Sequence, residues 1–233
     1  MKMLRILSAG AAQAVVEPVM AAFKQEGHTF KAEFGAVGAM KARLLEGIPV
    51  DLIILSGTMI DELIVAGQVV AGSRADLGRV GTGVAVRAGS PLPDVRTVDT
   101  LRGNLLAATQ IVCPDPAAAT AGKIVMSALE RLGIKEQAGP KLQFFPNGYA
   151  AMNWLAGSRG TLEVGITQNT EIKANKGVTY VGPLPDELQM KTTYSAGLPA
   201  RAENAEDARM FIARLTGAAN RAALAAAGYE FGD

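Results

Sequence analysis

The chain holds one cysteine and one histidine among 233 residues. A lone cysteine excludes an internal disulfide and a thiolate-based structural zinc site. A lone histidine leaves His28 as the sole base for a Ser-His-Asp triad and excludes a histidine-rich metal centre, so no metal and no cofactor are expected. Net charge is nearly absent: 23 Lys and Arg against 22 Asp and Glu leave +1. There is no basic footprint of a nucleic-acid binder. No apolar run reaches the roughly 18 residues that suggest a membrane span. Aromatic residues are only 5%, which predicts an aliphatic core with closely packed backbones. The opening MKMLRILSAG carries Arg5 inside a short apolar stretch and lacks the apolar centre of an export signal. The chain as written is therefore expected in the cytoplasm, or in the periplasm if an export signal has been removed.

What is present is apolar content, 49% of residues, in an alternating pattern. Residues 4–8, 29–34 and 50–55 read as strands, and helices are expected over 15–23, 40–46 and 56–66. An extended stretch, 80–87, leads into the Pro/Gly-rich segment 89–93. A second series follows, with strands at 111–113, 143–145, 164–167 and 178–181 and helices at 121–132 and 148–156. Residues 192–198 are extended again, and helices close the chain at 205–215 and 218–227. Strand–helix alternation implies parallel sheets with right-handed crossovers. Segments 80–86 and 192–197 read as two crossings between lobes. The expected architecture is therefore α/β with two lobes, each a mainly parallel sheet flanked by helices. Lobe 1 comprises 1–80 plus 193–233, and lobe 2 comprises 81–192.

Four small-residue turns open helices with bare backbone: Ser8 to Gln13 with Gly10 and Ala11, Gly35 to Ala39 with Val37 and Gly38, Ala119 to Gly122 with Thr120 and Ala121, and Pro146 to Tyr149 with Gly148. An α-helix leaves its first N–H groups without intrahelical partners, and its dipole favours negative charge there. In open α/β sheets, ligands bind beyond the carboxyl ends of the strands, where all four turns are expected. Lys41 and Lys123 stand near helix starts, where a cation is unfavourable unless something negative offsets it; Arg79 precedes the first crossing. Thr120, Asn147, Tyr149, Gln168 and Asn169 are the polar candidates of lobe 2. Structural roles are expected for the rest: Asp115 bonding its own turn, His28 at the end of a helix closed by Gly27, and Cys113 and Trp154 in the core.

The stretches LSAGAAQAV, FGAVGAMKARLLEGIPVDLIILS, DPAAATAGKIVMSALERLG, PKLQFFPNGYAA and VGIT, in this order, resemble the molybdate-binding protein family of periplasmic solute receptors. The resemblance covers nearly the whole chain and implies a type II periplasmic binding fold, with a small anion held in the cleft between the lobes and released by hinge bending. If the protein is exported, it implies the membrane component of an ABC transporter as partner. The family's two serine donors fall on Gly10 and near Val37, its backbone donors on Ala121 and Gly148, and its tyrosine donor on Gln168. The missing hydroxyls count against molybdate or tungstate and leave room for an organic carboxylate. Some similar proteins are isomerases of unsaturated tricarboxylates, of the aconitate type. That alternative needs a proton-moving group, for which Lys41, Tyr149 and Tyr194 are the guesses.

Overall fold

The computed structural model describes residues 3–232. The chain divides into two compact units, Met1–Val80 with Thr192–Asp233, and Gly81–Lys191. The first unit begins with β1 (Met3–Ala9), a short 3-10 turn (Gly10–Ala12) and α1 (Gln13–Gln25). It continues through β2 (Thr29–Gly35), α2 (Val37–Leu45), β3 (Leu52–Ser56), α3 (Gly57–Val65) and β4 (Ala75–Val80). The second unit runs β5 (Thr82–Arg87), α4 (Val98–Ala107), β6 (Gln110–Pro114), α5 (Thr120–Arg131), α6 (Lys135–Ala138), β7 (Leu142–Phe145), α7 (Gly148–Gly157), β8 (Glu163–Gln168), α8 (Asn169–Ala174) and β9 (Val178–Pro183). The chain then re-enters the first unit with β10 (Thr192–Gly197), α9 (Ala205–Thr216), α10 (Arg221–Ala227) and β11 (Tyr229–Glu230).

Each unit is built on one mixed sheet. The first has strand order β11-β4-β10-β3-β1-β2; β1 runs parallel to β2 and β3, while β10 and β11 pair antiparallel with their neighbours. The second has order β7-β6-β8-β5-β9, with β6 parallel to β7 and β8, and β5 antiparallel to β8 and β9. A block of three parallel strands thus recurs in both sheets. The strands that carry the chain into and out of the second unit, β5 and β10, run against it.

The cores are aliphatic. Every residue of β3 is buried, as expected of a strand covered on both faces. In α1 the buried residues are Val15, Val16, Val19 and Phe23, one stripe of a 3.6-residue period. Burying each such side chain contributes about 1.5–3 kcal/mol. Phe23 meets Phe30 and Phe211 at ring separations of 6.3 and 5.2 Å, and the Arg214 guanidinium lies 4.3 Å from its ring centre. These contacts bring α9, from the end of the chain, onto the first βαβ unit. Gly27, at φ +93°, lets the chain leave α1 in the left-handed region, where a side chain is disfavoured.

The conspicuous buried acid of the first unit is Asp51, in the turn before β3. It is fully buried, and it accepts from the N–H groups of Arg5 and Asn204, each at 2.9 Å, and from the Asn204 side-chain amide at 3.3 Å. One carboxylate therefore joins β1, β3 and the start of α9.

Several elements differ from the sequence expectation. The single extended stretch 80–87 begins on the last residue of β4, breaks at Gly81 and continues as β5, and the rest of β4 was not expected. The second helix begins at Val37, three residues earlier than periodicity suggested. Helix α4 was not expected because it buries only Leu101 and Leu105, too thin a stripe to read. Its start is nonetheless signalled by a capping box between Thr97 and Thr100.

Replacing Asp51 with Ala strands the two buried N–H groups that its carboxylate satisfies. The expected loss is about 3 kcal/mol of unfolding free energy, measured by urea denaturation, with Asp51→Asn losing less.

Candidate functional site

In the first unit the parallel register pairs Ala9 with Gly35 and Ser8 with Ile54. The turn after β1 and the starts of α2 and α3 therefore leave the same sheet edge as neighbours. Gly10, Ala11 and Val37 are buried there and Gly38 is half-buried. Gly10 opens a 3-10 turn rather than an α-helix. Helix α2 has Ala36 at its N-cap, with no side-chain hydrogen bond to the exposed amides. The Lys41 ammonium bonds the Glu62 carboxylate of α3. Arg79 is exposed on β4 beside β11, and Lys123 is exposed on α5.

Sequence reasoning missed Ser56. It ends β3 on this same edge, N-caps α3, is buried, and has its Oγ 3.3 Å from the Thr58 hydroxyl. Its signal was the one used elsewhere, a polar or small residue between a buried strand and a helix. The start of α3 is anchored by charge. Arg74 bonds both Asp61 and Asp76, and the buried Ser195 hydroxyl donates to Asp76 at 2.6 Å. A Cβ on Gly57 would stand 2.7 Å from the Arg74 guanidinium, so glycine permits that approach.

In the second unit, Pro114 of β6 pairs with Phe145 of β7, and Val112 with Gly165 of β8. The starts of α5, α7 and α8 thus share the carboxyl edge of three adjacent parallel strands. Asp115 bonds its own turn as expected, its side chain accepting from the Ala117 N–H at 2.8 Å. Helix α5 begins at Thr120 behind Ala119, an N-cap without any side-chain bond. It sits so close to the β6 exit that a Cβ on Gly122 would lie 2.3 Å from the Pro114 carbonyl oxygen. Thr120 is half-buried and Ala121 buried. Helix α7 is capped by Asn147, whose side chain accepts from the Ala150 N–H at 2.9 Å. Tyr149 is half-buried on its first turn and Gln168 is buried at the N-cap of α8. Tyr194 lies buried in β10.

Gly148 holds the unexpected feature of this edge. Its N–H, expected to meet a ligand, donates to the chain's own Glu171. The Glu171 carboxylate also accepts from the Thr167 hydroxyl at 2.5 Å and from the Gln168 N–H. A Cβ on Gly148 would fall 1.9 Å from Glu171 Oε2, so only glycine admits the carboxyl. Glu171 is 5% exposed, and burial pushes its pKa up to about 7 despite these three donors. The sequence reading did not single it out. The available signal was its place three residues after the Gln168 N-cap, the position from which a glutamate reaches back to the cap amide. Nearby, Thr82 Oγ1, Asn169 Oδ1 and Thr170 Oγ1 are buried without a hydrogen-bond partner among the described residues.

The hollows contained within single units lie elsewhere. One of about 670 Å³ is lined by Pro93, Val95, Pro183 and Pro185, and another of about 380 Å³ by Val86, Leu92 and Leu162. Neither includes a candidate ligand residue. Among the described residues, no cluster of His, Cys, Asp and Glu has metal-holding geometry, and no helix is long and apolar enough to cross a membrane. Cys113 is buried, which pushes its thiol up to about 12 and leaves it unreactive.

Against known proteins, the model of the bacterial extracellular solute-binding protein family matches residues 4–230. An aconitate isomerase from a Pseudomonas species is 28% identical over 218 residues, covering 90% of this chain and 80% of that one. The periplasmic molybdate-binding protein of Azotobacter vinelandii is similar in fold, with a TM-score of 0.82, 21% identity, and coverage of 99% of this chain and 100% of that one. The sulfate-binding protein SubI of Mycobacterium tuberculosis gives a TM-score of 0.75 at 19% identity, covering 100% of this chain and 88% of that one.

The raised pKa of Glu171 has a thermodynamic consequence. The folded chain holds this proton more tightly than the unfolded chain, so the stabilisation it brings is complete below the usual glutamate range and is lost as pH rises through about 7. Between pH 5 and pH 8 the protein is expected to lose on the order of 3 kcal/mol more unfolding free energy than Glu171→Gln does. Urea denaturation of both proteins at the two pH values measures the difference.

Proposed function

The chain belongs to the bacterial extracellular solute-binding protein family, and we propose that within it the protein binds a small anion through main-chain N–H groups at helix starts. The observation that carries this reading is the alanine N-cap of α2 and of α5. Ala36 and Ala119 introduce α2 and α5 at the carboxyl edges of the parallel strands, with no side chain bonded to the first amides. Serine, threonine, aspartate or asparagine there would stabilise each helix by about 1 kcal/mol. Forgoing that stabilisation leaves amides available to an outside acceptor. Gly10, Ala11, Val37, Gly38, Thr120 and Ala121 are the residues assigned to this role, with Tyr149 and Gln168 as polar neighbours. The anion-binding proteins of similar fold support the same class of ligand.

Within that class an organic carboxylate is favoured over a tetrahedral oxyanion. Gly10, Val37 and Gln168 bring no hydroxyl, and a fully desolvated oxyanion needs a closed set of donors. If the protein is exported, the membrane component of an ABC transporter would receive the ligand.

A second reading, an isomerase of an unsaturated di- or tricarboxylate, is favoured by the 28% identity to aconitate isomerase. Of its guessed proton carriers, Lys41 is engaged with Glu62 and Tyr194 is buried in a strand. Proton NMR of cis- and trans-aconitate with catalytic amounts of protein separates the two readings: interconversion establishes the enzyme, and unchanged spectra with saturable binding establish the receptor.

The cap argument predicts opposite signs for stability and affinity. Ala119→Ser is expected to raise unfolding free energy by about 1 kcal/mol, because the new hydroxyl satisfies an amide of α5. It should also weaken carboxylate binding, read as a smaller ligand-induced rise in melting temperature at fixed citrate or aconitate concentration. A variant that gains stability and keeps its full ligand response removes α5 from the site.

A further inference from the structure

We propose that Glu171 is a specificity-determining group of the anion site: its carboxylate competes with the ligand for the start of α7, so an incoming anion binds together with a proton on Glu171. The inference rests on the anion-binding reading above and names how that site is regulated. Its geometry is the meeting of Glu171 with the Gly148 N–H, the Gln168 N–H and the Thr167 hydroxyl at the carboxyl edge shared by α5, α7 and α8. That is the same edge to which the ligand donors Thr120 and Ala121 belong. A carboxylate seated on helix-start amides does what a bound anion does, and here the chain supplies it.

Among the described residues, no cation is paired with the ionised form. Helix α8 packs on α7, β5, β8 and β9. Helix α7 has no charged side chain, and Tyr149 is its titratable group. On β8 the other acid is Glu163, at the opposite end of the strand. On β5, Arg87 closes the far end, and on β9 the titratable group is Tyr180. Lys173 of α8 itself lies 5.7 Å from the Tyr180 ring centre. Burial is the main influence on Glu171, ahead of its three hydrogen bonds, and no neighbouring charge contributes. A second negative charge brought to this edge therefore meets Glu171 without a counterion between them, and like charges in a desolvated site disfavour double ionisation. Protonation resolves the conflict. The Thr167 hydroxyl can then turn, and the Gly148 amide is no longer held by a full negative charge.

Two consequences follow. Above neutral pH, anion affinity should fall by up to tenfold per pH unit, because each bound ligand requires a proton. Ligands that bring their own hydrogen should be favoured over fully ionised oxyanions, since an ionised carboxylate can only accept hydrogen bonds.

The experiment is calorimetric titration of the full chain with cis-aconitate, and separately with molybdate, in two buffers of different ionisation enthalpy at pH 8, with a repeat at pH 6. The expected result at pH 8 is an uptake of close to one proton per ligand bound, seen as a binding enthalpy that depends on the buffer. Glu171→Gln should abolish that dependence and bind at least tenfold tighter than the parent at pH 8. Buffer-independent heat from the parent protein overturns this inference and leaves the anion-binding reading standing. Absence of heat with both probes at both pH values overturns that reading and this inference with it. The parent measurement decides the matter even if the variant fails to fold.

Discussion

An α-helix cannot satisfy its own first amides, and a parallel strand that feeds directly into a helix delivers those amides to one edge of a sheet. Both units of this protein are organised by that constraint. Three parallel strands in each sheet end together, and the helices that follow begin side by side. What distinguishes one helix start from another is how the chain disposes of the amides. Helix α4, away from these edges, closes its start with a Thr97–Thr100 capping box. Helix α7 uses Asn147 for one amide and Glu171 for another. Helices α2 and α5 have alanine at the cap and no side-chain bond. Alanine at the caps of α2 and α5 leaves their first amides without a bond from the cap side chain at the strand ends, as the proposed external acceptor requires.

Two buried acids show how the same chemistry serves opposite ends. Asp51 and Glu171 both accept main-chain N–H bonds in desolvated surroundings. Asp51 binds amides of elements remote in sequence, Arg5 and Asn204, and so acts as a tie between the beginning and the end of the chain. Glu171 meets amides at the carboxyl edge shared by α5, α7 and α8, and burial raises its pKa to about 7. One acid supports the scaffold. The other adds a titratable charge to the site.

The strand–turn–helix units were legible because buried strands such as residues 52–56 are unbroken apolar runs and because Gly10, Gly38 and Gly148 mark turns with little side chain. The role of Asp115 was legible for a local reason: the amide it bonds is two residues away. What escaped was either weakly patterned or non-local. Helix α4 buries two leucines only, and β11 is two residues long. Lys41 looked like a free cation near a helix start, because its partner Glu62 lies 21 positions on. Glu171 was not singled out, because nothing in a linear reading brings the α7 start against α8. Pairwise electrostatics at a site depends on which helices the sheet order makes adjacent, and that order is a tertiary fact.

These features bear together on what kind of anion fits. A tetrahedral oxyanion presents acceptors in every direction and demands donors all around it. At three positions where the resembled family places side-chain hydroxyls, this chain has Gly10, Val37 and Gln168, while Ser56 brings a hydroxyl to the edge of the first unit. An organic carboxylate asks less: its carboxyl groups need amide donors, and its carbon frame is content against Val37, Ala11 and Ala121. A hydroxyl or a protonated carboxyl on such a ligand could share a hydrogen with Glu171, which a fully ionised molybdate or sulfate does not offer. Uncapped amides, small apolar walls and a buried carboxyl with a raised pKa are therefore the features on which the proposal of a carboxylate ligand rests.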